Sequence, residues 1–83
     1  MKVSVRYFAS IREAIGQGSE AVEPAATTLG ALRDELIARG GAHASSLARG
    51  RAVRMALNQT LSDESATLAD GAEVAFFPPV TGG

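Results

Sequence analysis

From Lys2 to Phe8 polar and apolar residues alternate, with the β-branched Val3 and Val5 on one side. This period of two predicts a half-buried strand with Val3, Val5 and Tyr7 pointing inward. Ala9 to Ile15 follows as a short helix, with Ser10 as the candidate cap and Gly16-Gln17-Gly18 ending it. Ser19 to Glu23 alternates again and stops at Pro24, which predicts a second strand hairpinned against the first across the helical connection. Thr27-Thr28 offers an N-cap for the clearest helix. There Leu29, Leu32, Leu36 and Ile37 repeat at helical spacing, Arg33, Asp34 and Glu35 face away, and Gly40-Gly41 supplies the stop.

The second half is shorter in its signals. His43 to Arg49 reads as a further short helix or irregular turn. Ala52 to Leu57 alternates with Val53, Met55 and Leu57 inward, and Asn58-Gln59 turns the chain into a brief edge strand at Thr60-Leu61. Asp70-Gly71 marks another turn before a last strand, Glu73 to Phe77, whose Val74 and Phe76 point inward. Pro78 ends that pairing because it has no N–H to donate. Strands first, one dominant helix and a final strand describe an α+β fold, with the main helix packed across one face of a mixed sheet. The expected organisation is one domain over residues 1–77 and an extended flexible C-terminal tail over 78–83.

Composition narrows the chemistry. Eighty-three residues with 46% hydrophobic content suit one small domain. A domain of that size buries only about 60% of its unfolded surface, which leaves little room for an enclosed active site. Catalysis by this chain alone is therefore not expected. Cysteine is absent, so no disulfide, thiolate nucleophile, persulfide or Cys-ligated metal site can form. A net charge of −1 gives no general reason to bind nucleic acid or an anionic membrane. Partners are expected to be proteins. No apolar run approaches the roughly 20 residues of a membrane helix, and Met1-Lys2-Val3-Ser4-Val5 lacks a signal-peptide core, so the expected location is cytoplasmic.

The sequence closes on Phe76-Phe77-Pro78-Pro79-Val80-Thr81-Gly82-Gly83. Two terminal residues without Cβ atoms can enter a channel too narrow for side chains, which makes the Gly83 carboxylate the candidate working group. A carboxylate can attack the α-phosphorus of ATP to give an acyl-adenylate, and a sulfur donor can convert that to a thiocarboxylate. Two prolines with fixed φ keep the arm extended, and six residues from Pro78 reach about 20 Å. The alternation that buries Val3, Val5 and Tyr7 turns Phe8 to the opposite face, together with Phe77 from the last strand. An aromatic pair beside the tail suggests a partner-docking patch, with Leu61 on the adjoining edge extending it.

The block from Asp70 to Gly83 resembles the C-terminus of the small, sulfur-carrying subunit of molybdopterin synthase, the MoaD family. Tyr7-Phe8-Ala9, Arg12-Glu13, Gly16 and Asn58-Gln59-Thr60-Leu61 extend the likeness over nearly the whole chain, and Arg39 to Arg51 departs from it. The resemblance implies a ubiquitin-like β-grasp. It also implies that an ATP-dependent adenylyltransferase adenylates Gly83, that a sulfurtransferase supplies sulfur, and that the Gly83 thiocarboxylate donates it to a cyclic pterin within the large subunit of a heterotetramer. By position in that family, Val80 and Thr81 contact the partner's channel while Gly82 and Gly83 pass its narrowest point. No cofactor or metal is expected on this chain, ATP being used by the activating partner. Gly-Gly ends also occur on sulfur carriers for thiamine, cysteine or tRNA thiolation and on ubiquitin-like modifiers, so those readings stand as alternatives, beside an interaction module with an inert end.

Other polar residues point to ordinary roles. His43, the only histidine, has no second ligand and reads as a surface residue. Arg49, Arg51 and Arg54 form the one basic cluster, which reads as a solvated face, with contact to an acidic partner or a phosphate as the alternative. Asp63, Glu64 and Asp70 read as turn and cap residues, and no acid/base pair or triad is apparent.

Overall fold

The computed structural model describes residues 1–79. Its elements run β1 (Val3–Tyr7), α1 (Ala9–Ile15), β2 (Ser19–Val22), α2 (Leu29–Ile37), α3 (Gly41–Leu47), β3 (Arg54–Leu57), β4 (Thr60–Ser62) and β5 (Glu73–Phe77). The strands form one mixed sheet in the order β2-β1-β5-β3-β4. Only β1 and β5 run parallel, with Tyr7 opposite Phe76; the other three pairings are antiparallel. Alternation gives this sheet its buried face: Val3, Val5, Tyr7, Met55, Val74 and Phe76 meet Ile11 of α1, Leu29, Leu32 and Leu36 of α2 and Leu47 of α3 in one core.

Local rules account for most element ends. The Thr28 hydroxyl accepts from the Ala31 N–H at 3.2 Å and caps α2, and Gly16 ends α1 at φ +88°. Ser10 does not cap α1. It lies inside the helix, whose N-cap is Phe8 with no side-chain bond, because the chain turns one residue earlier at Ala9, φ +51°. The stretch between β4 and β5, for which the pattern predicts only a turn, lies over the start of α2. The N–H groups of Leu29 and Gly30 donate to the carbonyls of Ala66 and Glu64, both at 3.0 Å, satisfying donors a helix start leaves open. Leu68 and Ala72 join the core from this connection.

Arg33 does not face away. It is 4% exposed, donating from Nε to the Leu47 carbonyl and from Nη2 to that of Ala48, each at 2.8 Å. Its third side meets Glu64 at 3.3 Å. Full hydrogen bonding is what makes such a burial tolerable. Glu64 likewise does more than cap a turn, since it also pairs with Arg49, which in turn bonds Asp34 at 3.0 Å and the Gly30 carbonyl at 3.0 Å. Asp63 and Asp70 act as expected, accepting from the Ser65 and Lys2 backbones. Strand β5 ends at Phe77, with Pro78 and Pro79 following outside the sheet.

Candidate functional site

The face of the sheet turned away from the helices carries one cross-strand row of Leu61, Ala56, Ala75 and Arg6, flanked by the pair Arg54 and Phe77. Small alanines at the centre leave a depression between larger neighbours. An open groove of about 710 Å³ follows β5 here, lined by Arg6, Phe8, Ala9, Gln59, Glu73, Ala75, Phe77, Pro78 and Pro79. One end rests on the Asn58-Gln59 turn, both residues left-handed at φ +50° and +68°. Asn58 clasps this turn to β5, its N–H donating to the Glu73 carbonyl at 2.8 Å and its Oδ1 accepting from the Glu73 N–H at 2.9 Å. The other end is the diproline.

Phe8 forms one wall and is 39% exposed. Its N–H donates to the Phe76 carbonyl at 3.2 Å, and the Arg6 guanidinium lies 5.4 Å from its ring centroid while facing Glu73 at 3.8 Å. A cation over the ring and a carboxylate beside it hold an exposed aromatic in one orientation. The structure thus brings together Phe8, Phe77, Pro78 and Pro79 of the residues expected at the site. Leu61, 61% exposed, shares the face but lies beyond Ala56 in a separate depression with Val53, Arg54 and Met55. Val80, Thr81, Gly82 and Gly83 lie outside the described residues. The three arginines do not gather: Arg49 is tied to α2, Arg51 lines a small cleft beside Pro78, and Arg54 stands opposite Phe77.

His43 is not a surface residue. Its side chain is 14% exposed, with Nε2 at 2.9 Å from Glu20 and its ring edge-on to Tyr7 at 5.8 Å. Glu20 also accepts from Arg39 and Tyr7, each at 2.7 Å. Burial opposes the Glu20 charge, but the bonds from Arg39, His43 and Tyr7 outweigh it and hold the carboxyl down to about 2. Burial, then the bond to Glu20, pushes the Tyr7 hydroxyl above its usual range. Polar alternation marks Glu20 only as one more strand residue, so nothing in the sequence announces this cluster. Gln59, which the sequence marks as a turn residue and as part of the family likeness but not as a site residue, lines the groove. Among the described residues no three His, Asp or Glu side chains gather to hold a metal ion. A shaped apolar trough that ends at Pro78 and Pro79 is suited to holding a partner.

The ThiS family model matches residues 5–83. The chain belongs to the ThiS family. It is 42% identical over 81 residues to the molybdopterin synthase sulfur carrier subunit of Escherichia coli K12, a match covering 98% of this chain and 99% of that protein. Among solved structures, a putative molybdopterin converting factor subunit 1 from Pyrococcus furiosus matches with a TM-score of 0.79 and 29% identity, covering 96% of this chain and 99% of that one. A complex of subunits 1 and 2 of the molybdopterin-converting factor from Helicobacter pylori matches with a TM-score of 0.71 and 30% identity over the whole of both chains. The five-stranded mixed sheet with helices on one face is the ubiquitin-like β-grasp that these relatives share. No helix among the described residues is long and apolar enough to cross a membrane.

Proposed function

We propose that this ThiS-family member is the sulfur carrier subunit of a molybdopterin synthase, acting in the cytoplasm. The observation that carries the reading is the apolar groove along β5 that ends at Pro78 and Pro79, directly before Val80-Thr81-Gly82-Gly83. Its relatives' names and the solved subunit 1 and 2 complex support it. An ATP-dependent adenylyltransferase joins Gly83 to AMP, and a sulfurtransferase displaces the AMP with sulfur. The Gly83 thiocarboxylate then delivers that sulfur to a cyclic pyranopterin, held by the large subunit, to build the molybdopterin dithiolene. This chain contributes the sulfur and the docking face, while substrate binding and proton transfers belong to the large subunit. Phe8, Phe77 and Leu61 dock the carrier, and residues 78–83 place the sulfur in the partner's channel. Docking replaces a bimolecular sulfur delivery by a local one, which raises the effective concentration at the pterin.

The test is the intact mass of the protein from its native cells, with the C-terminal peptide fragmented. A gain of about 16 Da on Gly83, one oxygen replaced by sulfur, is expected. The thiocarboxylate should then be consumed on adding the large subunit and pterin. Sulfur that stayed on the chain in that mixture yet moved to a thiamine, cysteine or tRNA acceptor would reassign the pathway. Gly83 joined to lysines of other proteins would make the chain a modifier, and a terminus that gave no pyrophosphate exchange with an activating enzyme would leave a simple interaction module.

A further inference from the structure

Arg6, Arg33, Arg39 and Arg49 each answer a carboxylate of this chain: Glu73, Glu64, Glu20 and, for Arg49, both Asp34 and Glu64. Arg54, exposed on β3, forms no such pair among the described residues, although Asp63 and Glu64 line the same depression. Both of those carboxylates are engaged elsewhere. Asp63 accepts from the Ser65 N–H at 2.8 Å, and Glu64 accepts from Arg33 at 3.3 Å and from Arg49. Arg54 stands opposite Phe77 in the β3–β5 ladder, so the two side chains leave the outer face of the sheet side by side, with Cβ atoms about 5 Å apart. Leu61 pairs with Ala56 on the other side of β3, which makes it the diagonal neighbour of Arg54, about 7–8 Å away. A surface that covers both Phe77 and Leu61 therefore covers Arg54.

Covering it has a cost that apolar contact does not offset. The stem of an arginine can pack on an aromatic ring, but its guanidinium keeps its charge, and taking that charge out of water without a counter-charge is unfavourable. The planar fork of N–H donors is matched by a carboxylate, which accepts two parallel bonds. We propose that the large subunit carries an aspartate or glutamate that meets Arg54 between Phe77 and Leu61, and that this pair selects the partner. A surface with an apolar pocket for Phe8 and Phe77 but no carboxylate at that point is rejected, because docking it would bury a lone charge. The inference rests on the docking face proposed above. Arg6 has a different part, since Glu73 and the Phe8 ring already hold it. A phosphate is the poorer match: it draws several cations together, whereas Arg49 is tied to Asp34 and Glu64 and Arg51 lines another cleft.

The test is titration calorimetry of the full chain with the large subunit, comparing the unaltered chain with Arg54→Gln, Arg54→Glu and Phe8→Ala, each checked for its melting temperature. Arg54→Gln should weaken association about tenfold and Arg54→Glu about a hundredfold or more. Their melting temperatures should stay close to that of the unaltered chain, because no ion pair among the described residues depends on Arg54. Raising the salt concentration should weaken the unaltered chain's binding more steeply than that of Arg54→Gln. Among large-subunit variants with single carboxylates changed to lysine, one should bind Arg54→Glu more tightly than it binds the unaltered chain, which identifies the counter-charge. Affinity of Arg54→Glu within about twofold of the unaltered chain, or no lysine variant that prefers it, would overturn the proposal. If Phe8→Ala is weakened in that same series, the docking face stands and only the carboxylate is lost; an unaltered chain that does not bind the large subunit at all would overturn both.

Discussion

Tyr7 donates its hydroxyl hydrogen to Oε2 of Glu20 at 2.7 Å, tying β1 to its neighbour β2 at the sheet edge, and His43 of α3 meets the same carboxylate oxygen at 2.9 Å. Tyr7 stacks on Phe76 at 6.4 Å on one side and meets His43 on the other, so a single residue links the core under the docking groove to the polar cluster around Glu20. The groove's floor is held from behind by this arrangement.

The Glu20 carboxyl makes stability depend on pH. Its value in the fold, about 2, lies below the ordinary 4.5. Between these values the unfolded chain binds the proton and the folded one does not. Its contribution is complete above about 4.5 and is lost as pH falls toward 2. Urea midpoints measured from pH 6 down to pH 2.5 should fall more steeply for the unaltered chain than for Glu20→Gln, and equal slopes would assign the pH dependence elsewhere. At pH 7 the substitution should itself cost about 1–3 kcal/mol, since Arg39 loses a charged partner.

Tyr7→Phe separates the hydroxyl from the ring. The stacking on Phe76 and the edge contact with His43 remain, while one donor to Glu20 is lost. The expected loss is about 1 kcal/mol in equilibrium unfolding, with the groove unaffected. A loss several times larger would mean that the hydroxyl organises the cluster as a whole.

Gly30 is fixed by the loop laid across α2. A Cβ there would stand 2.7 Å from Oε1 and 2.9 Å from Cβ of Glu64, with the Glu64 carbonyl at 3.3 Å. Gly30→Ala, helix-favouring in isolation, should instead destabilise by about 1–3 kcal/mol as that loop is pushed away. Adding Glu64→Ala should restore only part of the loss, because the Cβ and carbonyl contacts persist and Arg33 and Arg49 lose their shared partner. Thermal unfolding of the two variants decides this; a stabilised Gly30→Ala would contradict the close approach.

What could be read in advance followed from local chemistry. Period-two alternation located the inward residues of β1, β3 and β5, and Thr28 marked the start of α2 because its cap needs only residues three apart. Arg33 and His43 were misread because their burial depends on partners distant in sequence: the Leu47 carbonyl for one, Glu20 for the other. A charged residue on a helix looks solvated until something folds over it. Phe8 and Phe77 could be placed on one face by counting, whereas the groove between them depends on Ala75 and on the left-handed turn at Gln59. Leu61 was on the right face, but the intervening strand β3 separates it from the pair.

Gln59 holds φ +68° although it carries a Cβ, the second of two left-handed residues in a two-residue hairpin turn. Such turns favour Asn-Gly. Gln59→Gly should therefore raise stability by about 0.5–1 kcal/mol, the relief of left-handed strain exceeding the added freedom of the unfolded chain. A Gln kept at this cost beside the groove suggests that its amide contacts a partner. The same variant should then bind the large subunit more weakly while melting at a higher temperature. Higher stability with unchanged affinity would make Gln59 a turn residue only.

Phe8 and Leu61 are the two exposed large apolar residues that the docking reading uses, and their surroundings predict unequal weight. Phe8 is held by Arg6 against the groove that Phe77 and the diproline complete, so its ring can enter a partner's pocket without further ordering. Leu61 projects from a three-residue edge strand with more than half its surface free. Titration calorimetry with the large subunit should show Phe8→Ala weakening association by about 2 kcal/mol, roughly thirtyfold. Leu61→Ala should cost under about 1 kcal/mol, as contacts at the margin of an interface do. Both residues lie outside the core, so neither variant should lose much stability. Equal losses would extend the binding surface over Ala75 and Ala56 to the sheet edge, and the partner would then be reading the whole outer face rather than the groove at the root of the tail.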